Sequence, residues 1–440
     1  MSQIAIIGNG IAGITAARHI RKLSDHRITV VSAESQHFFS RPALMYIYMG
    51  HMKYEHIKPY EDWFWEKNKI NLVNGLVNGI DSELKQLTFS DGRKMNYDKL
   101  IIAVGSTYNK FGWPGQDLKG VSGMVSLQDL QDIEQYTEGI KRGVIVGGGL
   151  IGVELAEMLR TRNIPVTLLV RENFFWSNVL PKEEAQLVGR HLREHHVDLR
   201  VDTELKEILS DENGRVNAII TGDGEEIKCE FVGLTAGVHA NINFLKNTQL
   251  ETNRGILVNE YFETGIPDIY AIGDCAEHRA PPVNRRSVEQ VWYTGRLHGE
   301  TVAQTICGNP VKYQPGVWFN SAKFFDIEYQ TYGWVWSEPK ENEESFYWEH
   351  NDGKKCFRAV YDKNSGKLLG INIFGIRFRH EVCESWIKQE MHIDEVMAQL
   401  PVANFDPEFF AQYESEIIKK YNKERSKNIH LKAKKGVLAC

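Results

Sequence analysis

Residues 4–17 read Ile4-Ala5-Ile6-Ile7-Gly8-Asn9-Gly10-Ile11-Ala12-Gly13-Ile14-Thr15-Ala16-Ala17, and this stretch decides the fold. An apolar run meets three glycines at G-x-G-x-x-G spacing, and a helical pattern follows at once. The pattern predicts a strand, a tight turn and a helix that open a dinucleotide-binding βαβ unit. Gly8 permits the turn, Gly10 lets the backbone approach a pyrophosphate, and Gly13 lets the helix pack against the strand. The N–H groups at the helix N-terminus would then face the phosphates.

Three further patterns support a nucleotide at this turn, since one such motif alone is weak evidence. A second apolar run, 28–31, ends near Glu34, where an acidic side chain can take ribose hydroxyls. The glycine pattern recurs over 143–152, with a second apolar run over 166–170. A late apolar strand, 269–274, ends in Gly-Asp. Together these patterns predict two dinucleotide-binding units.

The order of these patterns predicts three domains and an α/β fold. Two Rossmann-like dinucleotide-binding domains cover residues 1–115 with 241–314 and residues 116–240, and a C-terminal α+β domain covers 315–440. A match between 103–105 (Ala-Val-Gly) and 235–237 (Thr-Ala-Gly) suggests an internal duplication. A helix is predicted over 284–306. From Pro315 onward, large aromatic residues alternate with polar ones, which predicts antiparallel strands.

Composition excludes several classes of function. The 440 residues carry a formal net charge of −6, which argues against nucleic acid as the main partner. No run of 18 apolar residues exists, so no transmembrane helix is expected. The apolar strand pattern begins by Ile4 and leaves no room for a signal peptide, so we expect a cytoplasmic protein.

Cysteines and histidines give no metal or disulfide pattern. The six cysteines are scattered and none is in C-x-x-C or at zinc spacing. His195 and His196 are adjacent in a charged helical stretch, and we interpret them as part of a solvated face. No metal site is predicted. The segment from Lys419 on holds eight Lys or Arg and one Glu, and it is expected to be frayed or docked on another surface.

The combined motifs resemble the pyridine nucleotide–disulfide oxidoreductase family. They are the two glycine motifs, Ser-Ala-Glu at 32–34, Ser-Arg-Pro-Ala-Leu at 40–44, Leu-Ile-Ile-Ala-Val-Gly-Ser at 100–106 and Ala-Ile-Gly-Asp-Cys-Ala at 271–276. The resemblance covers residues 1 to about 330 and continues more loosely to about 400. Disulfide reductases of this family carry a redox cysteine in the loop after Glu34, but this chain has no cysteine before Cys229. It is therefore similar to the cysteine-free branch: rubredoxin and ferredoxin reductases, the flavin part of nitrite reductase, and apoptosis-inducing factor.

The resemblance implies a bound FAD and a set of residues that would hold it. Gly8, Gly10, Ala12 and Gly13 would hold its pyrophosphate, Glu34 its adenosine ribose, and Asp274 its ribityl chain or pyrophosphate. The other residues implied for the FAD side are Arg41, Pro42, Val77, Ala103, Gly105, Gly273, Glu289, Gln290, Val291 and Trp292. A second dinucleotide, NAD(P)H, would lie on Gly147, Gly149, Ile151 and Gly152, with Gly237 at the end of a neighbouring strand.

The same resemblance implies the chemistry. Hydride would pass from nicotinamide C4 to flavin N5, and electrons would leave the flavin without a thiol relay. Glu154 occupies the position of a family glutamate beside the nicotinamide, although a helix-N-terminal acid is also favoured by the macrodipole alone. Tyr46 stands where relatives often have a lysine that pairs with this glutamate. Glu154 and Tyr46 would tune the pocket rather than react.

Coenzyme choice depends on Arg171 and Glu172, which follow the second strand of the second unit. An acidic residue there takes both ribose hydroxyls of NAD, whereas an arginine accommodates the 2′-phosphate of NADP. Comparison with apoptosis-inducing factor places Glu172 on the ribose-binding glutamate. NADH is therefore the favoured coenzyme.

The electron acceptor stays open at this point. The branch favours a small redox protein such as rubredoxin or ferredoxin, and the C-terminal domain is expected to cover the flavin and to form an acceptor or homodimer surface. Two alternatives are a redox-sensing interaction module without turnover and a quinone reductase at a membrane surface, which the basic tail permits.

Overall fold

The computed structural model describes residues 1–405 and 411–432. Its strands are β1 (Gln3–Ile7), β2 (Arg27–Ser32), β3 (Ile70–Asn74), β4 (Val77–Asp81), β5 (Gln86–Phe89), β6 (Lys94–Asn96), β7 (Lys99–Ile102), β8 (Ser106–Tyr108), β9 (Val121–Ser122), β10 (Gly143–Val146), β11 (Val166–Leu169), β12 (Val197–Arg200), β13 (Leu205–Ser210), β14 (Val216–Thr221), β15 (Glu226–Lys228), β16 (Phe231–Leu234), β17 (Val238–Ala240), β18 (Ile256–Val258), β19 (Ile269–Ala271), β20 (Ala276–His278), β21 (Phe319–Phe324), β22 (Ile327–Gly333), β23 (Glu343–Glu349), β24 (Cys356–Asp362) and β25 (Leu368–Phe374).

The α-helices are α1 (Ile11–Leu23), α2 (Leu44–Tyr48), α3 (Trp63–Lys67), α4 (Leu127–Tyr136), α5 (Leu150–Thr161), α6 (Lys182–Glu194), α7 (Trp292–Ile306), α8 (His380–Lys388), α9 (Ile393–Ala398), α10 (Leu400–Ala403) and α11 (Glu414–Arg425). Short 3-10 turns lie at Arg41–Ala43, Tyr54–Ile57, Asn243–Leu245 and Gly273–Cys275.

The chain forms two compact units. The first comprises Met1–Gly147, Met158–Val166 and Leu205–Pro315, and the second comprises Gly148–Glu157, Thr167–Glu204 and the chain from Gly316 on. The three-domain division drawn from the sequence stays a prediction.

The first unit is organised around a five-stranded sheet in the order β19-β7-β1-β2-β3. All its pairings are parallel. Strands buried on both faces need apolar side chains throughout, and Ile4, Ile6 and Ile101 are fully buried. Helix α1 packs against α7 at very short range, because a Cβ on Gly299 would lie 2.5 Å from the carbonyl oxygen of Ala12. The glycine motif is thus held between a sheet edge and a helix pair.

A second set of parallel strands lies in the same unit. Strand β16 pairs with β10 on one side and with β9 on the other. The antiparallel strands β13, β14 and β15 form a separate small sheet. Between β14 and β15 the chain turns at Gly224, where φ is +93°. The parallel strands confirm the predicted α/β class.

The second unit contains β11, β12, α6 and an antiparallel sheet in the order β21-β22-β25-β24-β23. The alternation of aromatic and polar residues predicted these antiparallel strands, and the pairings confirm them. A buried ion pair joins α6 to this sheet: Arg358 donates two hydrogen bonds to Glu184, at 2.6 and 2.9 Å. Both residues are almost fully buried, at 5% and 0% exposure.

Two sequence expectations about helices can be judged here. The predicted helix 284–306 is wrong at its start, because α7 begins at Trp292 and Asn284 has a left-handed φ of +60°. The basic segment is helical as far as Arg425 and is docked, since the Lys432 N–H donates to the carbonyl of Ala398 at 2.8 Å. Residues 433–440 lie outside the described residues. No helix in the described ranges is both long and apolar enough to cross a membrane.

Candidate functional site

The first glycine motif forms a backbone cradle that a side chain would fill. Gly8 has φ +112°, and a Cβ there would lie 2.1 Å from the carbonyl oxygen of Ala103. A Cβ on Gly13 would lie 2.1 Å from the carbonyl oxygen of Gly8. At Gly10, by contrast, an added Cβ would meet no described atom within 4 Å. The protein itself requires glycine at positions 8 and 13, whereas position 10 faces open space in front of α1.

That open space lies at the N-terminus of α1. Among the described residues no side chain caps this helix, and Gly10 is its N-cap. The first N–H groups of a helix lack intrahelical partners and carry a partial positive charge. The cradle therefore presents uncapped donors in a place where an anionic group can approach the backbone closely, which fits a dinucleotide pyrophosphate.

Glu34 is held in place beside this cradle. The Arg41 guanidinium donates to its two carboxylate oxygens at 2.8 and 2.6 Å. The backbone N–H of Leu127 donates to Glu34 Oε1 at 2.8 Å. Arg41 also donates to the carbonyl of Val125. The two residues that the sequence predicted as separate ligand contacts therefore form one ion pair at the start of α4.

Charges around Arg41 favour its protonated state. Burial opposes the charge, but the hydrogen bond and attraction from Glu34 outweigh it and raise the pKa of Arg41. Asp274, at the end of the late strand, also attracts Arg41 and accepts a hydrogen bond from Ser106 Oγ at 2.8 Å. Burial raises the pKa of Asp274. The first site thus combines one strong cation with two carboxyl groups, Glu34 and Asp274.

Two buried side chains hold these loops and were missed in the sequence analysis. Asn9 is 5% exposed, and its amide donates to Ser35 O at 2.9 Å and to Ser35 Oγ at 3.1 Å. His298 Nδ1 accepts a hydrogen bond from the Gly273 N–H at 3.1 Å. Asn9 lies inside the glycine motif, so its position was a usable signal, whereas His298 carried none.

The other residues predicted for the first site fall into three groups. Ala103 and Gly105 follow β7, and Gly105 has φ +68°; Pro42 is in the turn after Ser40, and Val77 is buried in β4. Ala12 and Gly273 nearly touch, since a Cβ on Gly273 would lie 2.9 Å from that of Ala12. The stretch Glu289, Gln290, Val291 and Trp292 leads into α7.

Glu289 is already engaged by the protein. It lies 2.8 Å from Arg285 in an ion pair whose two side chains are each 5% exposed, and Thr294 Oγ1 donates to it at 3.3 Å. Gln290 lines a cavity of about 380 Å³ together with Val238 and Lys246. Any ligand contact by residue 289 would therefore come from its backbone rather than from its carboxylate.

The second glycine motif repeats the backbone logic of the first. Gly147 has φ +119°, and a Cβ there would lie 2.6 Å from the carbonyl carbon of Thr235. Gly237, two residues after Thr235, has φ +86°; it corresponds to Gly105 of the first motif, which also has a positive φ. A Cβ on Gly149 would again meet no described atom within 4 Å. Ile151 and Gly152 lie in the first turn of α5, which begins at Leu150.

Glu154 lies in α5 with an unusual proton affinity. Burial and the nearby Glu157 raise its pKa to about 7, and Lys323 of β21 opposes this shift. Lys323 Nζ lies 2.6 Å from Glu157 Oε1. The cation near Glu154 is thus a lysine from the C-terminal sheet, which the sequence analysis did not identify. Tyr46 lies in α2, where its ring stacks on His51 at 6.2 Å between centroids.

Glu172 and Arg171 form an exposed pair after β11. Arg171 donates to Glu172 Oε1 at 2.9 Å, and their side chains are 71% and 31% exposed. Both are therefore accessible to a coenzyme, and the arginine is the more exposed of the two.

The thiol nearest the first site, Cys275, is unsuited to a redox relay. Cys229, Cys275, Cys307, Cys356 and Cys383 are all free, and every one except Cys307 is buried. Burial raises the pKa of Cys275, the thiol nearest the first site, to about 12. Because the thiolate is the reactive form, this thiol is inert near neutral pH.

Comparison with known proteins gives a family match and several relatives. Residues 2–299 match the model of the pyridine nucleotide-disulphide oxidoreductases. A nitrite reductase [NAD(P)H] of Bacillus subtilis is 28% identical over 401 residues, which is 89% of this chain and 48% of that protein. A 5,5'-dehydrodivanillate O-demethylase ferredoxin reductase subunit of Sphingobium is 30% identical over 333 residues, 74% of this chain and 80% of that protein. The chain spans about half the length of the Bacillus subtilis relatives it matches, 48% and 49%.

Solved structures with this fold include a ferredoxin reductase from Rhodopseudomonas palustris. The two structures superpose with a TM-score of 0.78 at 21% sequence identity, over 95% of this chain and 99% of the reductase chain. An NADH:rubredoxin oxidoreductase from Clostridium acetobutylicum has a TM-score of 0.69 at 24% identity and covers 89% of this chain and 94% of its own. At these identities the likeness establishes the fold.

Proposed function

Because this chain belongs to the pyridine nucleotide-disulphide oxidoreductase family, we propose that it is an FAD-dependent reductase that oxidises NADH and passes the electrons to a small redox protein. Membership of this family supports oxidoreductase chemistry with a flavin and NAD(P)H, and the choice of FAD, NADH and a protein acceptor is likewise proposed. The observation that carries it is the open space at Gly10 in front of the uncapped α1, beside a fixed carboxylate at Glu34.

The first site fits a dinucleotide flavin rather than a mononucleotide. Glu34 and Asp274 both lie close enough to Arg41 to raise its pKa, so the site offers two separate carboxyl groups to the hydroxyls of a ligand whose pyrophosphate lies at Gly10. Glu34 accepts three hydrogen bonds from Arg41 and the Leu127 N–H, but its oxygens have about four lone-pair sites in all, so it keeps capacity for a ribose hydroxyl. Two such carboxyl groups support a ligand with hydroxyl groups on both arms of its pyrophosphate, as FAD has.

The second site supports NADH as the coenzyme. Glu172 is only 31% exposed, so it is the more fixed partner of the exposed pair. A carboxylate at this strand end accepts hydrogen bonds from both ribose hydroxyls and repels a 2′-phosphate. Arg171 could offset that repulsion, but its 71% exposed side chain contributes little fixed charge at one point.

The bound flavin would supply the hydride acceptor and the means of releasing electrons singly or in pairs. The chain's own part is to orient and to tune. With a pKa of about 7, Glu154 can hold a proton or a negative charge near neutral pH. A carboxylate beside the nicotinamide would stabilise the positive charge that develops there on hydride loss. The inert Cys275 supports direct electron exit without a thiol step.

Two relatives support a small redox protein as the acceptor. The Sphingobium relative is a ferredoxin reductase subunit, and a rubredoxin-NAD(+) reductase of Ectopseudomonas oleovorans is 27% identical over 320 residues. The cytoplasmic setting expected from the sequence belongs to the same proposal. So does the expectation that the C-terminal domain covers the flavin and forms the acceptor or dimer surface.

The test is anaerobic reoxidation of the NADH-reduced protein by a panel of acceptors. Purified full-length protein is reduced with one equivalent of NADH and mixed separately with rubredoxin, ferredoxin, a soluble quinone and buffer. We expect a ferredoxin or rubredoxin to reoxidise the flavin at least about tenfold faster than the quinone, which corresponds to about 1.4 kcal/mol in activation free energy. Faster reoxidation by the quinone than by either protein would contradict a small redox protein as acceptor and favour a quinone reductase. A reduced flavin that no acceptor reoxidises would favour a redox-sensing role.

A further inference from the structure

Two histidines and an aspartate converge in the second unit, away from the glycine motifs. His191 lies in the last turn of α6, and His195 follows one turn later. Asp326 lies in the turn between β21 and β22. The Nε2 atoms of His191 and His195 lie 2.5 and 3.0 Å from the same oxygen, Oδ1 of Asp326. The three ligand atoms all lie within 4.8 Å of one another.

Histidine spacing on the helix explains the convergence. Residues four apart lie on one helix face, so both imidazoles point toward the same turn. The ring of Phe325 stacks on His195 at 4.4 Å between centroids and holds its orientation. His195 thus makes specific contacts although its side chain is 36% exposed, and its interpretation as part of a solvated face stays a prediction. The adjacent His196 is exposed, with φ +61°, as a solvated residue should be.

Hydrogen bonding alone leaves His191 poorly satisfied. Its side chain is 1% exposed. A neutral imidazole has one N–H, and here Nε2 faces Asp326 while Nδ1 lies 3.6 Å from Glu194 Oε2. If the neutral ring carries its proton on Nε2, the Nδ1 lone pair is the atom nearest the Glu194 carboxylate. If the proton is on Nδ1, the Nε2 lone pair faces the Asp326 carboxylate. In either tautomer one lone pair lies next to a carboxylate. Among the described residues, Nδ1 has no hydrogen-bond partner in this structure.

We propose that His191, His195 and Asp326 bind a divalent transition-metal ion, with Zn²⁺ as the ion that fits best. A cation accepts the lone pairs of both Nε2 atoms and the Asp326 carboxylate, so each imidazole carries its proton on Nδ1. The Nδ1–H of His191 then points toward Glu194, the kind of outer carboxylate that metal-bound histidines commonly have. The conflict between the two tautomers disappears.

The chemistry of the ligands restricts the ion to a transition metal. Imidazole ligands suit Zn²⁺, Fe²⁺, Ni²⁺ and Cu²⁺, whereas Mg²⁺ and Ca²⁺ prefer oxygen alone; Zn²⁺ is tested first because it accepts these ligands in tetrahedral geometry. Ligand atoms about 2 Å from a tetrahedral zinc are roughly 3.3 Å apart, so Asp326 would move outward by several tenths of an ångström. Its side chain is 61% exposed and free of the packed core, so this shift is sterically open, and water can fill the fourth position.

Such an ion would join α6 to the β21–β22 turn and would stabilise the folded chain by mass action. The strand β21 also carries Lys323, which lies 2.6 Å from Glu157. The proposed site does not depend on the proposed reductase activity.

The experiment uses the full-length flavoprotein, stripped with a chelator and dialysed. Zn²⁺ is titrated in competition with a chromophoric indicator, and Co²⁺ is added separately because tetrahedral cobalt absorbs at longer wavelength than oxidised flavin. We expect one Zn²⁺ per chain and a higher melting temperature with zinc. His195→Ala and Asp326→Asn should each weaken zinc binding at least tenfold and abolish the zinc-dependent rise in melting temperature.

His196→Asn is the matched control, because it removes a neighbouring imidazole and asparagine tolerates a left-handed backbone. This variant should bind zinc like the wild type. Flavin content and circular dichroism report folding, and Asp326→Asn keeps the test informative if His195→Ala fails to fold, since residue 326 is exposed. Equal zinc affinity in wild type, Asp326→Asn and His196→Asn, or no binding by the wild type, overturns the proposal.

Discussion

The two glycine motifs share one backbone design but differ in how their acidic residues are held. In both motifs the first glycine has a left-handed φ and lies against a neighbouring strand, and a middle glycine faces open space. Glu34, beside the first motif, is fixed by two hydrogen bonds from Arg41 and one from the Leu127 N–H. Glu172, beside the second, has one bond from Arg171, a side chain that is 71% exposed.

Under the proposed function, this difference would distinguish the site of a resident cofactor from that of an exchanging coenzyme. A preorganised carboxylate costs little ordering entropy when a ligand arrives, so it favours tight binding. An exposed pair must be ordered on each binding event, which favours weaker binding and rapid release. The first motif therefore fits a cofactor that stays bound, and the second fits a coenzyme that enters and leaves in each cycle.

The largest predicted effect comes from filling the open space in each motif. Gly10→Val should fold, because an added Cβ meets no described atom within 4 Å, but it should purify without flavin. Gly149→Val should keep its flavin and lose coenzyme binding, with KM for NADH raised at least about tenfold, or about 1.4 kcal/mol. Flavin absorbance per chain and steady-state kinetics measure the two outcomes. Flavin loss in both variants would remove the distinction between the sites.

Breaking the ion pair beside each motif should have smaller effects than filling the open space. The effect should again be larger at the first motif than at the second. Arg41→Ala should weaken flavin binding at least about tenfold, because a hydrogen bond to a charged group contributes about 1.5–3 kcal/mol. Arg171→Ala should change the free energy of unfolding by less than about 1 kcal/mol, as is usual for an exposed pair. Arg41→Lys keeps the charge but loses the fork geometry, and it should resemble the alanine variant. Flavin dissociation constants that are unchanged in both Arg41 variants would contradict a preorganised first site.

Glu154 should make the second site sensitive to pH. Its pKa is raised to about 7, so it is neutral below that pH and a carboxylate above it. The negative form stabilises the developing nicotinamide cation, so the flavin reduction rate should rise through pH 7, by up to roughly tenfold. Glu157→Gln removes a like charge and should move the midpoint to lower pH, whereas Glu154→Gln should flatten the profile. A profile that falls with pH would give Glu154 the opposite role.

The smallest effect is expected at Cys275, beside the first motif. Its thiol is fully buried, and burial raises its pKa to about 12. Cys275→Ala should retain flavin and leave the rate of reduction by NADH within about twofold, a difference of about 0.4 kcal/mol. A folded Cys275→Ala protein that is no longer reduced would show that a thiol takes part.

Backbone requirements made the glycine positions predictable from sequence. Gly8, Gly147 and Gly237 have φ values that other residues rarely adopt, so glycine is required there and these positions can be recognised in the sequence. Glu34 was predicted because an acidic residue about 20 positions past the last glycine commonly takes a ribose hydroxyl, whereas Arg41 was predicted from the family resemblance. Their mutual ion pair and the Leu127 N–H contact were not predicted, since the latter joins residues 93 apart in sequence and depends on tertiary packing.

The same reason explains the missed groups. Lys323 and Asp326 lie far along the chain from the helices that carry Glu157 and His191. The start of α7 was misplaced although Arg285 and Glu289 form a buried pair at the i,i+4 spacing of a helix. Residues 284–291 are held instead by the end of β20, because the His278 N–H donates to the carbonyl of Ser287 at 2.8 Å. Local pattern cannot report such contacts.

The most direct test of the account is rapid mixing of the oxidised protein with NADH and with NADPH under anaerobic conditions. Loss of the oxidised-flavin absorbance gives the reduction rate and the apparent Kd for each coenzyme, and the released flavin is identified chromatographically. The account predicts FAD, complete reduction by NADH, and a preference for NADH that Glu172→Ala diminishes. A flavin that neither coenzyme reduces, or a preference for NADPH that Arg171→Ala abolishes, would contradict it.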